Sequence, residues 1–253
     1  MLEGKKGLIV GVANQNSIAW GCARALAEAG MELAFTYQGE VMRERVERTT
    51  AEIEDVLRLE MDVRRDEQIE EVFSTLRERW GQLDFLLHSV AYAPKAAMAN
   101  PFLETTRDDF GVAMDVSAYS LVSLSRAAAA IMPSGGSIAT MTYYGAEKAV
   151  PGYNVMGVAK AALEASVRYL AVDLGRQGIR INAVSAGALN TLAARGVAHF
   201  RDLLKVTAER APLGRAIEVD EVANMTVFLA SDLGSGVTGE TIYVDAGFHV
   251  TAG

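Results

Sequence analysis

The sequence predicts an α/β fold in which one mostly parallel, seven-stranded sheet carries helices on both faces. Short apolar runs rich in β-branched residues alternate along the chain with longer amphipathic runs. The strand runs are almost wholly apolar, which is typical of strands buried on both faces of a parallel sheet. Hydrophobic residues make up 50% of the 253 residues, enough for a large core. We therefore predict a single doubly wound, Rossmann-type domain over residues 1–253.

The first half of the chain contains four predicted strands, each followed by a helix or turn. Ser17 and Gly30 bound the first helix, since serine is a preferred N-cap and glycine a common helix stop. A charged helix starts near residue 40, and 66–81 form an amphipathic helix. The strand runs are "KGLIVGV" (6–12), "MELAFTY" (31–37), "VLRLEMDV" (56–63) and "LDFLLHSVA" (83–91).

The second half continues the same alternation. Helices are predicted near 106–132, 153–176 and 218–231, and strands at 136–142, 179–187 and 240–247. The interval 188–217 has no clear element, and irregular segments of that length inside a compact domain are usually functional.

Composition excludes several functional classes. The formal net charge of −8 argues against a general nucleic-acid or anionic-membrane binder. Cys22 is the one cysteine, so no internal disulfide forms and a reducing, cytoplasmic setting fits. The N-terminus lacks the features of a signal peptide, and no run is apolar for long enough to span a membrane. His88, His199 and His249 are scattered without nearby ligands, so we expect no metal site.

The first strand-to-helix turn departs from the usual dinucleotide-binding pattern. It reads "GVANQNSIAWG", without G-x-G-x-x-G. Gly11 still permits a tight turn, and the amides around Ser17 and Ile18 at a helix N-terminus would face an anion. An ordinary strand-turn-helix with small packing residues explains these residues equally well.

The end of the second predicted strand bears on which nucleotide binds. In "TYQGE", Gln38 can hydrogen-bond a ribose hydroxyl, whereas Glu40 would repel the 2′-phosphate of NADP. Arg43 is the nearest cation and already lies within the predicted helix. We therefore predict NADH. Asp62, after the third strand, is either near the adenine amino group or a turn aspartate.

Tyr153 and Lys160 are the strongest candidates for chemistry. Seven positions on a helix correspond to about 10 Å of rise and return to within roughly 20° of the same face. Helical side chains lean toward the N-terminus, so Lys160 reaches back toward Tyr153. A nearby cation adjusts the pKa of a phenol, which is otherwise near 10. The seven-residue spacing of a tyrosine and a lysine is common by chance. Its position after the fifth predicted strand makes it stronger evidence for a catalytic pair.

These motifs together resemble a known family. "SIAWG", "TYQ", "HSVAYAP" (88–94), "YYGAEKAVPGYNVMGVAKAALEASVRYLA" and "RINAVSAGALNTLAA" are similar to the short-chain dehydrogenase/reductase superfamily. Within it they resemble the enoyl-acyl carrier protein reductases of bacterial fatty-acid synthesis. The resemblance covers essentially the whole chain. It implies NADH-dependent reduction of the double bond of a trans-2-enoyl thioester.

The resemblance also implies residue roles. Tyr153 would donate to the thioester oxygen as negative charge develops there, and Lys160 would bind the nicotinamide ribose. Tyr143, ten residues before Tyr153, would orient the substrate or assist proton donation, while Tyr144 would only pack. C2 would be protonated by tyrosine or by water. Thr140 occupies the position of the catalytic serine of ordinary short-chain reductases; we interpret it as structural, which favours enoyl over 3-ketoacyl reduction.

The remaining site residues follow from the same resemblance. The implied cofactor residues are Gly11, Ser17, Ile18, Gln38, Asp62, Val63, Ser89, Ala91, Lys160 and Thr191. A mobile substrate-binding segment is implied at about 189–215. The implied substrate residues are Ala93, Tyr143, Tyr153, Met156, Ala193, Val197 and Phe200. A surface helix that packs its apolar face explains Ala193, Val197 and Phe200 almost equally well. Ala188 stands where the family usually has proline.

Charge in that segment suggests a partner. Arg195, Arg201, Lys205, Arg210 and Arg215 oppose only Asp202 and Glu209, which leaves a local charge of +3. The acyl carrier protein implied by the resemblance is acidic, so Arg201 and Lys205 are a candidate docking patch. The resemblance also implies a homotetramer. A carbonyl-reducing short-chain dehydrogenase and a non-catalytic dinucleotide sensor remain alternatives.

Overall fold

The structure, a computed structural model, describes residues 1–191 and 200–251, without the side chains of 200–203. Its sheet is seven-stranded, and every neighbouring pair of strands is parallel, in the order β3-β2-β1-β4-β5-β6-β7. The strand order reverses between β1 and β4, where a crevice opens at the carboxyl ends of the strands. The strands are β1 (Lys6–Val10), β2 (Glu32–Tyr37), β3 (Leu57–Glu60), β4 (Phe85–His88), β5 (Gly136–Thr142), β6 (Ile179–Ala186) and β7 (Thr241–Val244).

The helices lie between the strands, as the alternation predicts. In the described part of the chain they are α1 (Ile18–Glu28), α2 (Gly39–Thr49), α3 (Asp66–Trp80), α4 (Lys95–Ala99), α5 (Arg107–Met114), α6 (Ser120–Ala129), α7 (Asn154–Gly175), α8 (Phe200–Arg210) and α9 (Val219–Ala230). A π-helical turn, Asp115–Tyr119, joins α5 to α6, so the single helix predicted near 106–132 is interrupted. The short α4 has no counterpart in the sequence prediction.

Two hydrophobic layers cover the two faces of the sheet. One layer packs α1 and α9 onto it, and its buried side chains include Leu26, Phe35 and Leu229. The other packs α3, α6 and α7 onto the opposite face, and its buried side chains include Phe73, Leu124 and Leu163. Burying a large apolar side chain contributes about 1.5–3 kcal/mol, so both layers anchor the strands firmly. The α/β doubly wound prediction is confirmed.

Gly11 brings the first turn against the end of β4. Its φ is +111°, a conformation that residues with a side chain rarely adopt. A Cβ at Gly11 would also collide with the backbone of Ser89. Only glycine fits here, and it places the start of α1 beside the carboxyl end of β4.

The interval 188–217 is less irregular than the sequence suggests, because α8 lies inside it. Apolar residues recur at helical spacing along residues 200–210, which agrees with the surface helix that is the alternative for this segment. In the part of the chain that the structure describes, no helix is both long and apolar enough to cross a membrane.

Candidate active site

A cavity of about 470 Å³ opens at the carboxyl ends of the central strands. The segments that follow β4, β5 and β6 line it, together with the start of α1 and one face of α7. The predicted site residues that line the cavity are Ile18, Ser89, Ala91, Ala93, Tyr143, Tyr153, Met156, Lys160 and Thr191. The other lining residues are Val90, Tyr92, Lys95, Met98, Met141, Thr142, Ala186, Gly187, Ala188 and Leu189.

Tyr153 enters the cavity from the N-cap position of α7. Its ring meets that of Tyr143 edge to face, with centroids 5.1 Å apart and an interplanar angle of 75°. Desolvation raises the pKa of the Tyr153 hydroxyl far above 10, and the neighbouring Tyr143 and Glu164 raise it further. The group is therefore a neutral hydrogen-bond donor at physiological pH.

Lys160 lies two turns along the same helix and is 6% exposed. Its Nζ donates to the carbonyl oxygen of Met141, at the end of β5, over 2.7 Å. Burial lowers the pKa of Lys160 to about 8, and the charge of Glu164 opposes that shift. Lys160 is therefore protonated at neutral pH, and the low dielectric constant of its surroundings strengthens the electric field of its charge.

The two tyrosines upstream of Tyr153 have different surroundings. Tyr143 lines the cavity, and desolvation raises its pKa to about 12. Tyr144 packs edge to face on Phe248, with centroids 5.7 Å apart. Of this pair, only Tyr143 lines the cavity.

Thr140 is buried on β5 beside His88. Ser120 Oγ donates to the Val116 carbonyl, so His88 Nε2 donates to Ser120 Oγ. That tautomer leaves Nδ1 to accept from the Thr140 hydroxyl, 2.8 Å away. Burial, together with the charge of Lys160, lowers the pKa of His88 to about 3. Thr140 thus serves a neutral buried histidine, in agreement with its interpretation as structural.

Side chains at the ends of β2 and β3 are hydrogen-bonded to one another. Gln38 Nε2 donates to Asp62 Oδ2 over 2.9 Å, and the Arg64 amide donates to Asp62 Oδ1. Gln68 accepts the Asp62 amide hydrogen over 2.6 Å. This pairing fixes the Gln38 amide and the Asp62 carboxylate in one orientation each.

The residues described so far fit a dinucleotide. Ser17 is the N-cap of α1, and the positive end of that helix faces the crevice formed by Gly11 and Ser89. Gln38 and Asp62 offer groups for a ribose or adenine. Lys160 offers a cation for a ribose hydroxyl deep in the cavity. A polar end at β2 and β3, an anion site at the start of α1 and a desolvated end beside Lys160 match the adenosine, the pyrophosphate and the nicotinamide of such a molecule.

Comparison with known proteins identifies the family. The family model described as Enoyl-(Acyl carrier protein) reductase matches residues 11–249. Enoyl-acyl-carrier-protein reductase (NADH) 1 of Rhizobium meliloti is 52% identical over 249 residues, covering 98% of this chain and 92% of the relative. This chain belongs to the enoyl-acyl carrier protein reductase family. The resemblance inferred from the motifs is confirmed.

Solved reductases share the fold closely. The Bacillus cereus enoyl-acyl carrier protein reductase, solved with NADP⁺ and indole naphthyridinone, is 47% identical and has a TM-score of 0.97, covering 99% of this chain and 98% of that one. The Anaplasma phagocytophilum reductase, solved with NAD, is 46% identical and has a TM-score of 0.96, covering 100% and 96%.

Not every predicted residue of this reductase falls in the cavity. Gly11 and Ser17 shape the first turn, and Gln38 and Asp62 lie at the ends of β2 and β3. Val63 packs against the α3 side of the core. Ala193 and Val197 lie outside the described residues, as do the side chains of Phe200 and Arg201. Ala188, where the family usually has proline, is buried at the cavity wall.

Sequence reasoning missed two residues that shape the reductase site. Gly145 has no room for a side chain, because its Cβ would lie 3.1 Å from Tyr143 Cδ1 and still closer to Tyr153. Asn154 adopts φ +43°, and its Nδ2 donates to the carbonyls of Met98 and Asn100. The only sequence signal for Asn154 is its residue type, since asparagine tolerates the left-handed region.

Proposed function

We propose that this reductase uses NADH to reduce trans-2-enoyl-acyl carrier protein to acyl-acyl carrier protein in fatty-acid elongation. The observation that carries the proposal is the desolvated cavity in which Tyr143, Tyr153 and Lys160 meet. Family membership and relatives that are named as NADH-dependent reductases support it.

The fold and the family resemblance support the following cofactor positions. The N-terminus of α1 would receive the pyrophosphate, beside Gly11, Ser17 and Ile18. Gln38, Asp62 and Val63 would hold the adenosine end. Ser89, Ala91, Lys160 and Thr191 would surround the nicotinamide ribose. When bound, NADH supplies the hydride that reaches C3 of the substrate.

The protein's part in the reaction is to stabilise charge. As C3 is reduced, negative charge develops on the thioester oxygen, and Tyr153 donates a hydrogen bond to it. The raised pKa of Tyr153 keeps its hydroxyl protonated, so that it can donate this hydrogen bond. Protonation of the enolate at C2, by tyrosine or by water, then completes the reduction. Lys160 holds the ribose and adds positive potential, while Tyr143, whose ring contacts that of Tyr153, orients the thioester. Ala93 and Met156, with Ala193, Val197 and Phe200, would contact the acyl chain.

The alternative of carbonyl reduction needs a serine-like donor next to Tyr153. Thr140 is instead buried and bonded to His88, whereas Tyr143 faces the cavity. A non-catalytic sensor would not need the Tyr153–Lys160 pair. Oxidation of NADH, followed by absorbance, tests all three: we expect turnover with crotonyl or 2-octenoyl thioester and none with a 3-ketoacyl thioester. Turnover with the ketone alone, or with neither, contradicts the proposal.

We further propose that the segment at about 189–215 binds the acyl chain and the carrier protein in a cytoplasmic homotetramer. Lys205 is exposed and pairs only loosely with Glu209, at 3.8 Å. We expect charge reversal at Arg201 and Lys205 to raise KM for carrier-bound substrate while leaving KM for a short CoA thioester unchanged. Equal changes for the two substrates would contradict the docking patch.

A further inference from the structure

Two side chains of α7, one turn apart, contact consecutive residues at the end of β5. Lys160 Nζ donates to the Met141 carbonyl over 2.7 Å. Glu164 Oε1 accepts the Thr142 hydroxyl hydrogen over 2.6 Å. Residues four apart share a helix face, so the two contacts lie side by side. Thr142 also lines the cavity, directly before Tyr143.

Glu164 is an unusual residue for this place. It is 8% exposed, and carboxylates are rarely so buried without a compensating charge or hydrogen bond. Burial raises the pKa of Glu164, and the nearby Glu147 acts in the same direction. The Thr142 hydrogen bond and the charges of Arg168 and Lys160 oppose that change and favour the carboxylate.

The groups around Lys160 and Glu164 come from several elements. From β4, His88 is neutral and adds no charge. From the segment after β5, Glu147 accepts the hydroxyl hydrogen of Tyr243 of β7, and burial with that contact raises the pKa of Tyr243. On α7 itself, Arg168 donates to the Glu164 carbonyl oxygen, and Tyr153 carries no charge.

Lys160 needs such a counter-charge. Desolvation alone would lower its pKa beyond the value of about 8, because Glu164 already opposes the shift. A neutral lysine would lose the positive potential that stabilises the developing oxyanion. Glu164 does not line the cavity, and its charge acts on Lys160 and also raises the pKa of Tyr153. A measurement on Lys160 itself therefore separates the first effect from the second.

We propose that Glu164, held by the Thr142 hydroxyl one helical turn from Lys160, is a positioning residue that supplies the counter-charge of Lys160 and keeps Lys160 docked on the end of β5. The proposal rests on the function proposed above. It assigns the Thr142–Glu164 pair a role in setting the charge of the cavity, beyond packing α7 against β5.

The test separates the charge of Glu164 from its hydrogen bond. Glu164→Gln keeps the size and the acceptor but removes the charge, whereas Thr142→Val keeps the charge and removes the hydroxyl. Asp173→Asn neutralises an exposed acid further along α7 and is the matched control. The first readout is the pH dependence of Lys160 acetylation by acetic anhydride in cofactor-free protein, followed by peptide mass spectrometry. The second is the basic limb of kcat/KM for crotonyl thioester against pH.

We expect both midpoints to fall by about one pH unit in Glu164→Gln, as for loss of an opposite charge nearby. Asp173→Asn should keep the wild-type midpoints. Thr142→Val should lower them by less than Glu164→Gln, because loss of the hydroxyl disfavours the Glu164 carboxylate, and should lower kcat by about threefold through a less ordered β5 end. Coincident acetylation curves for Glu164→Gln and wild type overturn the proposal, whatever the enzyme turns over. Inactive wild-type protein contradicts the proposed function instead.

Glu164→Gln changes a buried group, so a double variant provides a second measurement should the single variant fail to fold. Thr142→Val with Glu164→Met replaces both partners of the hydrogen bond by apolar groups of similar size, which is often tolerated. It should show the same downward shift in Lys160 acetylation. A folded double variant without that shift also overturns the proposal.

Discussion

The two ends of the predicted cofactor site are built in different ways. At the reacting end, Lys160 is buried, and desolvation shifts its pKa and those of Tyr143 and Tyr153. At the adenosine end, Gln38 is exposed, and hydrogen bonds to Asp62 determine its orientation. Desolvation distinguishes the first end, and a network of surface hydrogen bonds distinguishes the second.

The difference predicts how each end responds to change. Electrostatic interactions in a desolvated cavity are strong and screened little by salt, whereas those at the surface are weak and salt-dependent. Small displacements at the reacting end should therefore cost much activity. Charge changes at the adenosine end should produce small, salt-sensitive effects on nucleotide preference.

The largest effect is expected from Gly145→Ala. The new methyl group would lie 2.8 Å from Tyr153 Cε1 and 3.1 Å from Tyr143 Cδ1, so the two rings must separate. Misplacing a catalytic group by about 1 Å can cost on the order of 100-fold in rate, and we expect that loss in kcat/KM. Gly175→Ala, on α7 with open space around the new methyl, is the control and should retain full activity.

Steady-state kinetics with crotonyl thioester measures both glycine variants, and thermal unfolding shows that each is folded. Wild-type kcat/KM in a folded Gly145→Ala protein would show that the contact of the Tyr143 and Tyr153 rings does not matter for turnover.

An intermediate effect is expected at Asn154, which joins Tyr153 to the wall of the cavity. Asn154→Ala loses the bonds to Met98 and Asn100 and places a Cβ without a polar partner at φ +43°. We expect it to lower the free energy of unfolding by about 2 kcal/mol. Asn154→Gly relieves the strain but not the lost bonds, and should cost about 1 kcal/mol.

Both Asn154 variants should lower kcat/KM by roughly tenfold, since α4 and Tyr153 lose their connection. Denaturant unfolding and steady-state kinetics measure the two quantities. If Asn154→Gly matches wild type in both, the side-chain bonds contribute nothing and backbone strain explains any loss in Asn154→Ala.

The sequence predicted the sheet well because its signal is local. Apolar runs such as those of β5 and β6 lie between clear breaks, and their predicted bounds differ from the structure by one residue at most. The π-helical turn at Asp115–Tyr119 and the short α4 were missed, since neither has a periodic pattern of its own. Packing of α5 and α6 against α7 determines them instead.

The candidate site shows the same limit. Tyr153 and Lys160 could be proposed from spacing on one helix. The Thr142–Glu164 bond could not, because it joins residues 22 positions apart through the docking of α7 on β5. The requirement for glycine at position 145 is likewise visible only in the folded protein, where the rings of Tyr143 and Tyr153 pack against it. Contacts between helices and strands leave no periodic pattern in a single sequence.

The smallest effect is expected at Arg43, the cation nearest the adenosine end. Arg43 Nε donates to Glu47 over 3.0 Å and Nη1 to Glu40 over 3.4 Å, so the guanidinium group of Arg43 is hydrogen-bonded to both carboxylates. All three side chains are largely exposed. Freed from them, Arg43 could turn toward the 2′-phosphate of NADPH, and Glu40 would no longer repel that phosphate.

Glu40→Gln combined with Glu47→Gln should therefore raise the ratio of kcat/KM for NADPH to that for NADH by up to about fivefold, the scale of a surface ion pair. The gain should disappear as ionic strength rises above about 0.5 M. Glu44→Gln, an exposed neighbour on α2, is the matched control and should leave the ratio unchanged. A double variant that keeps the wild-type ratio at low salt would show that Gln38 and Asp62 set the preference without Arg43. An effect at 0.5 M salt as large as at low salt would place the selective contact in a desolvated part of the cavity, and the contrast between the two ends would fail.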